Sequence, residues 1–259
     1  MQKQRRSAAG PRTFRNMVDI QSGTDLPRAP QPGQGRDGRL AAPARGWFIT
    51  LEGGEGSGKS TQAAVVMGVL KELGLPCRLV REPGGTWLGE QLRRLLLGDP
   101  AGNGPHGPGP QPVAEMLLFA AARAQLVDTV ILPALLAGET VVCDRYVDSS
   151  LAYQGYGLGL GAEWVWAVNR VATRGLMPDL TLLFDCSPEV ARARHRRPGD
   201  RIEGRDEAFH RRVREGYLAL ARTEPSRFVV IDAEQPAERV AAAVRSAVRQ
   251  RLLRPATGG

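Results

Sequence analysis

The 259 residues include 42% hydrophobic side chains, enough for one sizeable core and at most a domain and a half, which excludes a large multidomain assembly. A formal charge of +8 points by itself to nucleic acid or a membrane surface, yet +6 of it lies in residues 1–45, where nine Lys or Arg face only Asp19, Asp25 and Asp37. The body is nearly balanced, no apolar run reaches 18 residues and no signal-peptide core is present, so the expectation is a cytoplasmic protein with neither a membrane nor a nucleic-acid partner.

Residues 1–45 are rich in Gly, Pro, Gln and Arg and lack apolar periodicity. They read as a disordered extension, or as sequence ahead of a misassigned start, and the Pro and Gly oppose an amphipathic transit helix. From there apolar runs of strand length alternate with helical patterns. The strands are WFITLE (47–52), CRLVRE (77–82), TVVCD (140–144), LTLLFD (180–185) and RFVVID (227–232). Helices are expected over 59–73, around LGEQLRRLLLG, over 113–137 with a bend near Pro133, in one stretch to about 174, from Pro188, to about 222 and to about 253. DPAGNGPHGPGPQP (99–112) can only be a loop, and HRRPGDRIEGRD (195–206) is a basic polar interruption. Continuous apolar strands separated by helices imply a parallel sheet covered on both faces, an α/β fold that binds ligands beyond the carboxyl ends of its strands. Cys77, Cys143 and Cys186 lie in or beside such strands without metal-ligand spacing and read as reduced thiols.

EGGEGSGKST (52–61) contains G-x-x-x-x-G-K-[ST] between a strand and a helix, the context in which the pattern is credible. Glycines let backbone N–H groups converge on phosphate oxygens, and the helix N-terminus adds its dipole. Gly53, Gly54, Glu55, Gly56, Ser57, Gly58, Lys59, Ser60 and Thr61 are therefore the candidate contacts to a phosphate donor, ATP or GTP. Lys59 is placed to reach the β- and γ-phosphates and Ser60 to hold Mg²⁺. Glu55 is the odd member. Beside a triphosphate an inward carboxylate is repelled, so it either points out toward a second ligand or is a solvated loop charge. After the second strand comes REPGGT (81–86), and after the third DRYVDSSLAYQG (144–155). Phe119 reads first as core and second as a stacking platform, with Arg123 four residues on along the same helix face.

EGGEGSGKST, REPGGT, F-x-x-x-R, DRYVDSSLAYQG, PDLTLLFD and DRIE stand in the order and spacing of the bacterial thymidylate kinases, which residues 46–253 resemble. The resemblance implies a three-layer α/β/α P-loop kinase domain over 46–254, a short tail at 255–259, a homodimer, and transfer of the γ-phosphoryl group of ATP to thymidine 5′-monophosphate (dTMP) with Mg²⁺. It implies that Glu55 accepts from the acceptor's 3′-hydroxyl and that Phe119 stacks on thymine. Arg123 would donate to a ring carbonyl, Ser150 and Gln154 would bond the base, and Pro83 would line it. Arg93 and Arg145 would hold the acceptor phosphate, Tyr153 would exclude a 2′-hydroxyl, and Asp144 would position Mg²⁺ through water. Lys59, Arg145, Asp144 and the lid residue Arg201 would form the catalytic set. The phosphate loop has Gly56 where some relatives carry an arginine, so the stabilising cation is expected on the lid at 195–206, with Arg201 of DRIE the best match. Leu158 replaces a usual arginine, the 99–112 insertion is long, and residues 1–45 have no counterpart in the family pattern. A kinase for another acceptor, a DNA-stimulated ATPase and a nucleotide switch remain as alternatives.

Overall fold

The computed structural model describes residues 45–98, 109–194 and 200–253; the expectations for 1–44, for 99–108, for 195–199 and for 255–259 lie outside the described residues. Five strands, β1 (Phe48–Gly53), β2 (Cys77–Arg81), β3 (Thr140–Asp144), β4 (Leu180–Asp185) and β5 (Phe228–Asp232), form one parallel sheet in the order β2-β3-β1-β4-β5. β1 lies at the centre and all six of its residues are buried, among them the polar Thr50, whose hydroxyl meets that of Thr181 at 2.9 Å, and Glu52. The register aligns the carboxyl ends: Leu51 and Arg81 both face Asp144, Gly53 faces Phe184, and Asp185 faces Asp232.

Helices α1 (Lys59–Glu72) and α8 (Ala237–Leu253) cover one face, where Ile49, Leu51, Val66, Leu70, Val244 and Val248 pack together. On the other face lie α2 (Trp87–Leu97), α3 (Pro112–Leu136), α4 (147–157), α5 (Ala162–Thr173) and α7 (Glu207–Thr223), around Phe48, Val127, Ile131, Tyr146, Leu151 and Tyr217. The short α6 (Pro188–Arg194) follows β4. This is the expected three-layer α/β/α arrangement.

Four details differ from the expectation. The bend expected at Pro133 is a π-helical turn, Val127–Ile131, wound just before the proline whose missing N–H frees a carbonyl. The stretch from 145 to 174 is two helices, because Gly159 and Gly161 take φ of 72° and 87° between them, a region that side chains with a Cβ disfavour. Arg45 belongs to the folded body and not to the extension: it is 6% exposed and its guanidinium grips both carboxylate oxygens of Asp179 at 2.8 and 3.1 Å. Finally, α3 is long and apolar enough to cross a membrane by length and composition. It is a core helix nonetheless, since Met116, Ala120, Leu126, Val127, Ile131 and Leu135 are buried and it carries the buried charged residues Glu115 and Arg123.

Candidate active site

The phosphate loop links the carboxyl end of β1 to α1. A Cβ on Gly53 would lie 2.5 Å from the carbonyl oxygen of Phe184, so only glycine fits where β1 runs beside β4. Gly58 caps α1 in the left-handed region at φ 86°. Ser57 donates to the Gly54 carbonyl at 2.8 Å. Lys59 is 7% exposed and folds over the loop, donating to the carbonyls of Gly54 (2.7 Å) and Gly53 (3.2 Å). Burial, then the nearby Arg145 charge, lowers its ammonium to about 8. Ser60 and Thr61 are exposed at the mouth of the loop.

Glu55 turns from the loop toward Arg145, with which it forms an ion pair, and lies 3.4 Å from the hydroxyl of Tyr153. Arg145 is the junction of the site. Its backbone is left-handed at φ 71°, a conformation that costs on the order of 1–3 kcal/mol for a residue with a side chain. Its guanidinium also reaches Gly53 O (3.0 Å), Ser149 Oγ (3.2 Å), Tyr217 OH (3.3 Å) and Tyr153 OH (3.2 Å), and lies 5.0 Å above the Tyr153 ring. Beneath it sits Glu52, fully buried, which accepts from Tyr146 N (2.8 Å), Ser149 Oγ (2.6 Å) and Tyr217 OH (3.0 Å). Burial, reinforced by Asp148, raises the Glu52 carboxyl to about 8.

One cavity of about 620 Å³ runs from this loop across the ends of β2 and β3. Glu55, Gly56, Gly58, Lys59, Ser60 and Thr61 line it on the loop side. Pro83, Arg93, Phe119, Arg123, Asp144, Arg145, Ser150, Tyr153 and Gln154 line the rest. Gly53 and Gly54 border a neighbouring cavity, and Ser57 is buried within the loop. Arg93 donates to the Pro83 carbonyl at 3.0 Å. Phe119 is half-buried and packs on the core while facing the cavity, so both readings of it hold at once.

Arg123 differs from its sequence reading. It is 1% exposed, and its guanidinium reaches Glu82 (2.7 Å from Nε), Ser150 Oγ (2.8 Å), Tyr146 O (2.9 Å) and Asn169. Every nitrogen of the guanidinium therefore has an acceptor within the protein, and Ser150 is held by one of them. Glu82, raised by burial against the pull of Arg123, keeps one buried oxygen without a hydrogen bond.

Asp144 Oδ1 is also buried without a hydrogen-bond partner, on the same cavity wall as Ser60. Among the described residues no cluster of three or more His, Cys, Asp or Glu could hold a metal. A single unpaired carboxylate oxygen that shares a cavity with the Ser60 hydroxyl fits Mg²⁺, which keeps several waters and takes its remaining ligands from phosphates.

Arg201 is a correction. It was expected over the transferring group, but it does not line the cavity. Its Nη2 lies 2.6 Å from the buried Glu115 carboxylate, and its Nε donates to Leu96 O at 2.8 Å. A buried carboxylate attracts a guanidinium more strongly than an open cavity does. Arg205 meets the same Glu115 oxygen at 2.5 Å. Arg196 and Arg197 lie outside the described residues. Arg194 does line the cavity, and donates to Ala233 O at 2.8 Å. The sequence reading also missed Glu52, Ser149, Tyr217, Arg81 and Glu115. Arg81, the first residue of REPGGT and part of the cavity wall, was legible from its motif; Tyr217 and Glu115 carried no signal, because their roles depend on which helices meet.

Residues 51–244 match the family described as thymidylate kinase. A thymidylate kinase from Synechococcus sp. (strain JA-3-3Ab) is 52% identical over 206 residues, 80% of this chain and 97% of the relative. One from Deinococcus radiodurans is 48% identical over 210 residues, covering 80% and 98%. One from Dehalococcoides mccartyi is 45% identical over 209 residues, covering 80% and 98%.

Proposed function

This chain belongs to the thymidylate kinase family, and we propose that the cavity joining the phosphate loop to the β2–β3 edge is where it transfers the γ-phosphoryl group of ATP to dTMP, giving thymidine 5′-diphosphate and ADP. The observation that carries the site assignment is the Arg145–Glu55 pair. It joins the donor loop to the acceptor residues and turns Glu55 away from the triphosphate side.

In this reading the loop amides and Lys59 cradle the ATP phosphates, and Lys59 leaves the carbonyls of Gly53 and Gly54 to do so. Arg93 and Arg145 hold the acceptor phosphate, with the exposed Arg81 at the rim. Glu55 accepts from the acceptor's 3′-hydroxyl, and the ring of Tyr153, packed edge-on against Phe209 and Tyr217, fills the space a 2′-hydroxyl would need. Phe119 stacks on the base and Pro83 lines it. Gln154 and Ser150 meet its polar edge, and Arg123 acts chiefly by fixing Ser150. Ser60 and Asp144 would hold Mg²⁺, which when bound neutralises charge on the transferred phosphoryl oxygens. Phosphoryl transfer leaves little covalent work to the protein, so positioning and fixed charge carry the rate. Among the described residues, Arg194 is a cation on the lid side of the cavity. Three free thiols suit a reducing compartment, and the proposal includes a cytoplasmic location. Residues 1–44 are proposed as an extension outside the kinase domain.

A homodimer is part of the same proposal. Trp164 and Val171 on α5 are 74% and 78% exposed, and Val113 and Leu117 on the adjoining α3 are 55% and 50% exposed. These apolar side chains lie on two helices that pack side by side, which is the kind of surface that a second copy covers. Sedimentation of the protein and of a Trp164→Glu/Val171→Glu variant tests it: a dimer is expected to become a monomer.

The reaction is tested by ADP release with a panel of nucleoside monophosphates, with and without Mg²⁺. dTMP should be the best acceptor and deoxyuridine monophosphate about 10–200-fold worse, since one buried methyl discriminates by about 1–3 kcal/mol. Equal rates with adenosine monophosphate would overturn the assignment.

A further inference from the structure

Glu115 sits in the first turn of α3, fully buried, where nothing in the transfer reaction calls for a carboxylate. Three side chains converge on it. Gln154, which lines the acceptor cavity, donates Nε2 to one oxygen at 3.1 Å. Arg201 and Arg205, from the 200–206 turn that ends the basic interruption, meet the other oxygen at 2.6 and 2.5 Å. Arg201 is pinned a second time, through Leu96 O at 2.8 Å and its own backbone N–H on Leu97 O at 3.3 Å. A Cβ on Gly109 would lie 2.3 Å from Arg201 Cδ, so the loop before α3 leaves just enough room for this side chain. Arg205 lies 4.6 Å above the Phe209 ring, and Phe209 meets Tyr153 edge-on at 6.0 Å. The 200–206 turn thus reaches two consecutive residues of α4 that line the acceptor cavity, one through a carboxylate and one through an aromatic ring. Asp200, Ile202 and Glu203 of the same turn line that cavity directly.

We propose that Glu115 is a positioning residue that couples acceptor recognition to the placement of the 200–206 turn: by holding Gln154 on one oxygen and Arg201 and Arg205 on the other, it makes the base end of the cavity and the turn that borders it move as one. Two guanidinium groups on one buried carboxylate leave the cluster with an excess positive charge, so neutralising Glu115 releases both arginines together. Arg201 then influences the rate through the position of the turn, without touching the transferring group. The inference rests on the dTMP reading given above, and wild-type turnover of dTMP, measured first, tests that reading separately.

The test is a mutant cycle on kcat/KM for dTMP. Glu115→Gln should raise KM for dTMP and lower kcat, each by about tenfold, while the Kd of a non-hydrolysable ATP analogue in the absence of dTMP stays within about twofold. Gln154→Leu and Arg201→Met, combined, should fall short of the product of their single effects by about fivefold or more, because both act through one carboxylate. In the Glu115→Gln background the same two changes should multiply to within about twofold. A general loss of packing would not remove that coupling selectively. Coupling that persists without Glu115, or a loss of ATP-analogue affinity as large as that for dTMP, overturns the inference. If Glu115→Gln does not fold, the pairs Gln154→Leu with Arg201→Met and with Arg205→Met decide in the otherwise native chain, and multiplicative effects in both overturn it.

Discussion

The two halves of the proposed active site are built in different ways. The donor half is ten consecutive residues, 52–61, and its groups are largely backbone: the loop glycines, the carbonyls of Gly53 and Gly54, and the amides at the start of α1. The acceptor half is assembled from β2, α2, α3, β3 and α4, and its groups are side chains that hold one another, as Arg123 holds Ser150 and Glu82. A contiguous backbone cradle depends on local geometry alone. A side-chain network depends on helix packing, and each member is positioned by partners that touch no substrate. Damage to the first should be sharp and confined to one residue; damage to the second should spread.

The largest expected effect is on the donor side. Lys59→Ala removes the only side-chain ammonium in the loop and should lower kcat/KM for ATP by about 10³ or more, with the fold intact; loss of one preorganised donor at developing charge costs about 10²–10³ elsewhere. An effect under tenfold in steady-state kinetics would break the comparison, because the donor half would then not depend on this residue.

Arg145 joins the two halves, so Arg145→Lys should damage both. An ammonium cannot satisfy Glu55, Gly53 O, Ser149, Tyr153 and Tyr217 at once. The expected loss is about 10² in kcat, with KM rising for dTMP and for ATP, and a change in only one KM would place Arg145 wholly in one half.

Glu55→Gln should act on the acceptor side although Glu55 lies inside the loop. A hydrogen bond to a charged acceptor is worth about 1.5–3 kcal/mol, so kcat/KM for dTMP should fall by roughly 10–100-fold while KM for ATP stays within about twofold. The reverse pattern would return Glu55 to the donor half.

A subtler difference lies in protons. The Lys59 ammonium titrates near 8 in the folded protein and near 10.5 when unperturbed. Because the folded-state value is depressed, the folded protein binds fewer protons here than the unfolded chain between these limits, and the burial penalty is relieved as pH rises through that window. A triphosphate favours the charged amine and draws the proton back. ATP binding at pH 8.5 should therefore take up a fraction of a proton, and binding at pH 6 none, while dTMP binding draws no proton to Lys59 at either pH. Calorimetry in buffers of different ionisation enthalpy measures this, and no difference between the nucleotides at pH 8.5 counts against the donor-side role of Lys59.

The smallest expected effect is from deleting residues 1–44 while retaining Arg45. Turnover should stay within about twofold and the unfolding midpoint nearly unchanged, whereas removing Arg45 as well strips Asp179 of its bidentate partner and should lower the midpoint measurably. Equal outcomes for the two truncations would deny Arg45 its place in the body.

The sequence by itself determined the elements, their order and the donor half. A strand buried on both faces has to be mostly apolar, and a phosphate loop has to carry its glycines at fixed spacing, so both are written in short windows such as LTLLFD and GSGKS. DRYVDSSLAYQG and REPGGT, through family resemblance, also pointed to most of the residues that line the cavity beyond the loop. The tertiary structure alone decided which charges meet. Arg201 reads as a cation for the transferring group until α3 is seen to bring the buried Glu115 beside it. Arg123 reads as a base contact until Glu82, Asn169 and Tyr146 O are found around it. Glu52 looks like part of the loop approach until Tyr217, 165 residues later, closes over it. The reason is physical: backbone geometry is fixed by neighbours in the chain, whereas the partner of a buried charge is whichever opposite group the packed helices bring within hydrogen-bond reach, and no local window of sequence carries that distance.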